Sequence, residues 1–283
     1  MTNDYGNQEL HQVLLAAMKD IDKICREHGL NYYLYAGTLL GAINHKGFIP
    51  WDDDVDIVMF PQDFKRLEQE IRQRYGDRYQ LCTFENTPTW FSKMNKLFVV
   101  GTEVSSNHGE ETLPISVDLC VLHSIPDHSW QRWLQRREIE LINLVLAVQS
   151  GAVVPTSARA KLTLGKLAKI KREVWGNRLD AVMTRYDHKQ TEYVGIMCNT
   201  LTRNPYTGRS GYETDFTKRE WHENFQYVAF EDTQFMTFSN IENYLDYQFS
   251  PKWREPYPEE KRVTKHDVKS YEISPEVRKR VGL

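Results

Sequence analysis

The sequence predicts an α+β protein: a mixed β-sheet core flanked by helices, with a helical and irregular C-terminal half. Three observations predict it. Helical periodicity alternates with short apolar, strand-like runs through about the first 125 residues. From Ser129 onward long helical stretches replace those runs. The stretch 249–262 (FSPKWREPYPEEKR) is rich in proline and aromatics, which suits an irregular packed arm.

Each element has a local reason. In 8–28 the positions Leu10, Val13, Leu14, Ala17, Met18, Ile21, Ile24 and Cys25 step by threes and fours, and Gly29 supplies a terminator. Leu30–Ala36 (LNYYLYA) reads as a strand ending at Gly37, 38–43 as a short helical turn and His45–Pro50 as a loop. Val55–Phe60 (VDIVMF) reads as a second strand. Pro61 opens a helix whose Phe64, Leu67, Ile71 and Tyr75 share a face, closed by Gly76. Trp90–Thr102 and Ile115–Leu122 are further strands. Beyond them 129–149 and 157–188 read as helices, the first more apolar and the second more basic, and 202–214 reads as a loop.

Composition sets outer bounds. Of 283 residues 40% are hydrophobic and 27% charged, enough apolar material for a sizeable core. The net charge of −3, from 36 basic and 39 acidic residues, lacks the basic excess of a general nucleic-acid binder, so no nucleic-acid partner is expected. The longest apolar stretch, Leu141–Val154, is interrupted by polar residues and too short to span a bilayer. No basic-then-apolar signal opens the chain. Cys25, Cys82, Cys120 and Cys198 are spaced 57, 38 and 78 residues apart, which offers no CxxC pair. The expectation is a soluble cytoplasmic protein with reduced thiols.

The informative passage is Tyr35–Phe60, YAGTLLGAINHKGFIPWDDDVDIVMF. Asp52, Asp53, Asp54 and Asp56 crowd the mouth of an apolar strand. Residues i and i+2 share a strand face, so Asp54 and Asp56 point one way while Val55, Ile57 and Met59 face the core. Two such carboxylates can grip a hard cation such as Mg²⁺ that also binds substrate phosphates. A solvated acidic turn is the bland alternative, but such turns rarely run straight into a buried strand. An EF-hand fails, because Ile57 stands where that loop needs glycine. Upstream, Gly37-Thr38 sits at a strand-to-helix turn where backbone N–H groups can approach a phosphate. Downstream, ISVDLCVL (115–122) puts Ser116, Asp118 and Cys120 on one face. Asp118 then reads as a third metal ligand, a general base, or a structural edge aspartate.

These residues carry a resemblance. A Gly-Thr turn, an Asp-x-Asp strand and a later strand with a third aspartate resemble the nucleotidyltransferase superfamily. More narrowly, GTLLGAINHKGFIPWDDDVDI is similar to the signature of the LicD family of bacterial phosphocholine transferases, whose distant eukaryotic relatives include fukutin and fukutin-related protein. SVDLCVLHSIPD and, more loosely, the stretch 230–262 also resemble that family, although Tyr247-Gln248-Phe249-Ser250 departs from its usual Tyr-Gly-Asp type sequence. The resemblance covers 8–127 and 228–266 well and 128–227 poorly.

The resemblance implies a nucleotidyltransferase-like catalytic core over 1–128 and a C-terminal region over 129–283 that binds the acceptor. It implies metal-dependent transfer of a substituted phosphate from a CDP-linked donor to a hydroxyl of a glycan or lipid-linked glycan, with release of CMP. Phosphocholine from CDP-choline is the first expectation. Ribitol phosphate, phosphoethanolamine and aminoethylphosphonate are alternatives, as is a nucleotidyltransferase releasing pyrophosphate; a non-catalytic binding member would usually lack one of the aspartates. Asp54, Asp56 and Asp118 match the catalytic and metal-binding carboxylates for Mg²⁺ or Mn²⁺. Gly37, Thr38, His45, Lys46, Trp51, Asp53 and Lys93 are the expected substrate-binding residues.

One feature stands outside the motif. Residues 157–178 carry seven basic side chains against the single acid Glu173, interleaved with Leu162, Leu164, Leu167 and Ile170. A solvated helix face explains them; peripheral contact with the inner membrane face is the other reading.

Overall fold

The computed structural model describes residues 5–87, 94–106, 112–197, 200–262 and 268–283. In chain order its elements are α1 (Gln8–His28), β1 (Tyr32–Leu34), α2 (Ala36–His45), β2 (Asp56–Met59), α3 (Pro61–Arg74), β3 (Tyr79–Cys82), β4 (Asn95–Val99), β5 (Thr102–Ser106) and β6 (Ser116–Val121). There follow β7 (His123–Ile125), α4 (Ser129–Gln149), α5 (Ala158–Leu167), α6 (Arg172–Met183), β8 (Tyr193–Gly195), α7 (Gly211–Thr214) and β9 (Thr217–Lys218). Last come β10 (Phe225–Phe230), β11 (Thr233–Phe238), α8 (Ile241–Phe249), β12 (Val268–Ile273) and α9 (Pro275–Val281). The α+β class expected from the sequence is the class observed.

Two compact units share the chain without a single cut. One comprises 1–81, 96–120 and 224–283; the other comprises 82–95 and 121–223. The sequence reading divides the chain once, between 128 and 129. In the structure the segment from Asn224 belongs with the N-terminal elements, and the connection after β3 belongs with the second unit.

The first unit holds a five-stranded sheet in the order β1-β2-β6-β4-β3. β1 and β2 are antiparallel, with Tyr33 opposite Val58. β6 lies beside β2, and the Asp118 N–H donates to the Val55 carbonyl at 2.8 Å. The two aspartate-bearing strands are therefore neighbours. All eight apolar positions read from the α1 periodicity are buried, and Gly29 ends that helix at φ +63°, where a side chain would be strained. Pro61 occupies the first turn of α3, where its missing N–H costs nothing.

The antiparallel hairpin β10–β11 is a strand pair that the sequence reading did not find. It packs on β1: the Tyr32 hydroxyl accepts the Met236 N–H at 3.2 Å and donates to Asp22 at 2.8 Å, and Thr237 Oγ1 donates to the Leu34 carbonyl at 3.3 Å. Its turn residue Glu231 adopts φ +52°. The proline-rich arm is irregular as expected, with short 3-10 turns at Pro251–Arg254 and Glu259–Lys261.

The second unit has its own core, in which Phe84, Ile125, Ile139, Ile142, Leu179 and Tyr212 are buried together. α4 spans the expected 129–149. The single helix expected over 157–188 is instead α5, α6 and a 3-10 turn at Thr184–Tyr186. Side chains explain the break. Gln149 Nε2 donates to the carbonyls of Ala168 and Ile170 at 3.0 and 2.7 Å, and Trp175 Nε1 donates to that of Leu167 at 3.1 Å. The carbonyls that would continue α5 are thereby capped from outside. Among the described residues no helix is long and apolar enough to cross a membrane.

Buried His222, bonded through Nε2 to the Thr217 hydroxyl at 2.8 Å, makes this unit acid-sensitive. Burial first, then the nearby Arg219 charge, pushes its imidazole down to about 3. The unfolded chain takes up a proton on this residue below its ordinary value of 6.5, while the folded chain resists until much lower pH. The contribution is thus fully present above that ordinary value and falls as pH drops through the window, by roughly 1.4 kcal/mol per pH unit. Urea unfolding between about pH 6.5 and pH 4.5 is expected to show that slope in the wild type, and His222→Gln should remove most of it. Parallel pH slopes in the two proteins would refute the assignment.

Candidate active site

The site is built from the end of β1, the start of α2, the approach to β2 and the neighbouring strands β6 and β4. The chain leaves β1 through Ala36, which takes φ +42°, a left-handed conformation costly for alanine. The Tyr244 hydroxyl holds it there by accepting the Ala36 N–H at 3.0 Å. α2 begins at this bend with no acidic residue of its own in the first turn, and a helix N-terminus favours an anion. Gly37 is there for space: a Cβ on it would lie 2.7 Å from Asp52 Oδ2. Thr38 is buried, and its Oγ1 accepts the Asp56 N–H at 2.8 Å. Its oxygen thereby fixes the start of β2.

The aspartate run is also fixed from behind. The backbone carbonyl of Asp52 accepts from Asn7 Nδ2 at 3.2 Å and from His11 Nε2 at 2.8 Å. Because a carbonyl only accepts, His11 must carry its proton on Nε2. Its ring stacks on Phe48 at 4.1 Å, and burial foremost holds the imidazole below its ordinary range. Asn7 and His11 lie more than forty positions upstream of Asp52. The polar residue types gave no periodic signal of this role.

Among the described residues, Asp52, Asp53 and Asp54 are the acidic group whose ligand atoms all lie within 4.8 Å of one another. The sequence reading groups Asp54 with Asp56 and Asp118 instead, and Asp54 is common to both sets. Asp56 and Asp118 lie within electrostatic reach of the cluster. Burial, then the charges of Asp54, Asp118 and Asp52, push the Asp56 carboxyl well above the usual carboxylate range, and Lys96 opposes them. Lys96 Nζ is hydrogen-bonded to Asp118 Oδ1. Burial alone would lower the Lys96 ammonium, but the charges of Asp118, Asp56 and Asp54 outweigh it and raise it. Among the described residues, Lys96 is the basic side chain bonded to this carboxylate group. Lys93, the one singled out from the sequence, lies outside the described residues.

His45 and Lys46 end α2, and Trp51 lies in the loop that follows it. Lys46 ends α2 at φ +57°, and its carbonyl accepts the Glu231 N–H at 2.7 Å. Glu231 Oε1 in turn accepts the Phe48 N–H at 3.0 Å. A Cβ on Gly47 would lie 2.1 Å from that carboxylate oxygen, so only glycine fits between. The hairpin turn thereby clamps the loop leading to the aspartates. Trp51 is half-buried, stacked with Tyr257 at 5.8 Å and edge-on to His45 and Tyr5 at 5.9 and 5.6 Å. The Arg262 guanidinium lies 5.2 Å from its ring centroid and so holds a cation–π position on that indole.

What the site offers chemically is a set of hard oxygen donors with one ammonium among them. Asp52, Asp54, Asp56 and Asp118 outnumber Lys96, and that excess adds to burial in raising the Asp56 carboxyl. An all-oxygen set of this kind fits Mg²⁺ or Mn²⁺ and does not fit the softer ions that thiolate or imidazole sites select. Removing one partner of a half-buried ion pair strands the other, at about 3 kcal/mol. Lys96→Met should therefore destabilise the metal-depleted protein by about that amount in urea unfolding. Asp118→Asn in the same background should recover most of the loss, and simple additivity of the two changes would sink the coupling.

Comparison with known proteins gives the same picture from another direction. Residues 29–142 match the family model described as LicD/FKTN/FKRP, nucleotidyltransferase domain. The lipopolysaccharide cholinephosphotransferase LicD of Haemophilus influenzae is 24% identical over 268 residues, which cover 93% of this chain and 97% of that protein. An uncharacterized protein of Rickettsia prowazekii is 40% identical over 77 residues, 24% of this chain and 29% of that one. The ribitol 5-phosphate transferase FKRP of Homo sapiens is 46% identical over 41 residues, 14% of this chain and 8% of that protein. The matched span contains the Gly37-Thr38 turn, the aspartate run, Lys96 and Asp118, so residues 29–142 of this chain are similar to the nucleotidyltransferase domain of LicD-type proteins.

Proposed function

We propose that this protein is a phosphotransferase that moves phosphocholine from CDP-choline to a hydroxyl of a cell-surface glycan or its lipid-linked precursor. The observation that carries the reading is the gathering of Asp52, Asp54 and Asp118 about Asp56, with Lys96 bonded to Asp118 and Asp52 beside the N-terminus of α2. Similarity along nearly the whole chain to a cholinephosphotransferase supports choline as the first donor to test. The short FKRP match keeps ribitol phosphate as the second.

Asp54, Asp56 and Asp118 are the residues that would hold the divalent cation. Bound there, it would neutralise charge on the donor diphosphate and on the departing CMP. The rest falls to the chain itself. The Gly37 and Thr38 N–H groups at the start of α2 receive a phosphate oxygen. Lys96 orients Asp118 through its carboxylate oxygen and lowers the local excess of negative charge. The acceptor oxygen attacks the distal phosphorus in line, the bond from that phosphorus to CMP breaks, and the hydroxyl proton passes to Asp118. Phosphoryl transfer leaves little covalent work for a protein, so positioning and electrostatics make up most of the catalysis.

Purified protein with CDP-choline, an acceptor glycan and Mg²⁺ or Mn²⁺ is expected to release CMP. Asp54→Asn and Asp56→Asn should each lower that rate by roughly 10²–10³-fold, the usual range for losing a group aimed at the transition state. Wild-type turnover in either variant would reject the mechanism, and release of pyrophosphate from a nucleoside triphosphate would reassign the reaction. A panel of CDP-choline, CDP-ribitol, CDP-ethanolamine and CMP-aminoethylphosphonate separates the donors. The expected order places CDP-choline first by kcat/KM, and preference for CDP-ribitol would move the assignment toward the FKRP-like activity.

A further inference from the structure

We propose that the α5–α6 segment of the second unit is a docking surface for an anionic lipid bilayer. The segment 157–178 holds seven basic residues and one acidic one, and the structure sorts them. Arg172 is structural: its guanidinium lies 3.7 Å from the Phe84 ring centroid and donates to the carbonyls of Phe84 and Thr87. Arg178 pairs with Glu138. Arg159, Lys161, Lys166, Lys169 and Lys171 are exposed and make no side-chain hydrogen bond or ion pair among the described residues.

The same face also exposes aliphatic side chains. Here Leu162 is 63% exposed, Val174 54% and Ile170 40%, all set among those cations. α5 buries Leu164 alone of its ten residues. A ten-residue helix is marginal in water unless it packs against something. A bilayer supplies what this surface lacks, with anionic headgroups for the ammonium groups and an apolar boundary for the leucine, isoleucine and valine. Lysine stems can lie along that boundary while their charges stay in the headgroup layer. The unit as a whole shares the character. Its sequence holds 17 Lys and Arg against 12 Asp and Glu, a net +5, while the remaining segments hold 19 against 27, a net −8. On α4, Trp130 and Trp133 are also exposed, the side-chain type most enriched at membrane–water interfaces.

Other occupants fit less well. Single-stranded nucleic acid is gripped by cations interleaved with aromatic stacking platforms. The one aromatic of this segment, Trp175, is half-buried with its indole N–H committed to Leu167. A symmetric pairing of two copies through this face would bring two basic patches together, which repels.

The test is co-sedimentation of the full chain with vesicles of phosphatidylcholine alone and of phosphatidylcholine with one-third phosphatidylglycerol. The expected result is binding to the anionic vesicles only, weakened by raised salt. Each surface lysine contributes about fivefold to partitioning, so Lys161→Gln, Lys166→Gln and Lys169→Gln together should lower it roughly a hundredfold. Leu162→Gln should lower it further while leaving the charge unchanged. These side chains are exposed, so the variants should keep the wild-type far-UV circular dichroism and unfolding midpoint, which confirms that binding and not folding was altered. Equal sedimentation with both vesicle types, wild-type binding by the triple variant, or equal affinity for single-stranded RNA at the same salt would overturn the proposal.

Discussion

Four carboxylates share the mouth of one buried strand, and their mutual repulsion is the constraint that the surrounding structure answers. Two unit charges about 5 Å apart near a protein surface repel by on the order of 3 kcal/mol, and several such pairs exceed what a marginally stable fold can absorb unaided. One answer is electrostatic. Lys96 projects from β4 to bond Asp118 on β6, so strand order alone delivers a cation to the carboxylates. The other is mechanical, since repelling groups drift unless their backbone is held. Asn7 and His11 hold the Asp52 carbonyl, Thr38 holds the Asp56 N–H, and Val55 receives the Asp118 N–H.

That mechanical frame explains features with no direct chemistry of their own. Ala36 sits in a strained conformation because the chain must turn from β1 into α2 within one residue of Gly37. Tyr244, from α8 near the far end of the sequence, is what makes that turn tolerable. Glu231 performs a similar task at the other end of the motif, tying the loop after α2 through the Phe48 N–H and the Lys46 carbonyl. The hairpin and α8 are therefore parts of the site's scaffold, which is why a C-terminal segment belongs to the same compact unit as the aspartates.

What could be read from the sequence followed how local the cause was. The α1 face, the apolar run of β2, the alternation in β6 and the extent of α4 are set by periodicity within one element, and they were legible. Asp54, Asp56 and Asp118 stood out because charges at the edge of apolar strands conflict with local patterning and so demand a reason. Lys96 carries no such local signal, because only the pairing of β4 with β6 shows that it faces Asp118. Asn7, His11 and Glu231 act across separations of about 41 to 183 residues through ordinary polar bonds, which leave no mark on composition or period. The break between α5 and α6 was missed for the same reason, since Gln149 caps carbonyls from a different helix.

Net charge gives the most misleading average. The whole chain carries −3, yet its two compact units carry −8 and +5. The acidic unit is the one that contains the aspartates, so a diphosphate donor would approach a surface of its own sign. The Lys96 ammonium offsets a single carboxylate, and the field left over attracts cations and repels phosphates. The proposed donor and the proposed divalent cation consequently depend on each other: without the cation this acidic site would reject the diphosphate, and without an anionic ligand so dense a cluster of carboxylates would have no chemical use. On the proposed reading, opposed charge on one chain follows from opposed tasks, with carboxylates for the cation that would admit an anionic donor and lysines for an anionic surface that needs no cation between.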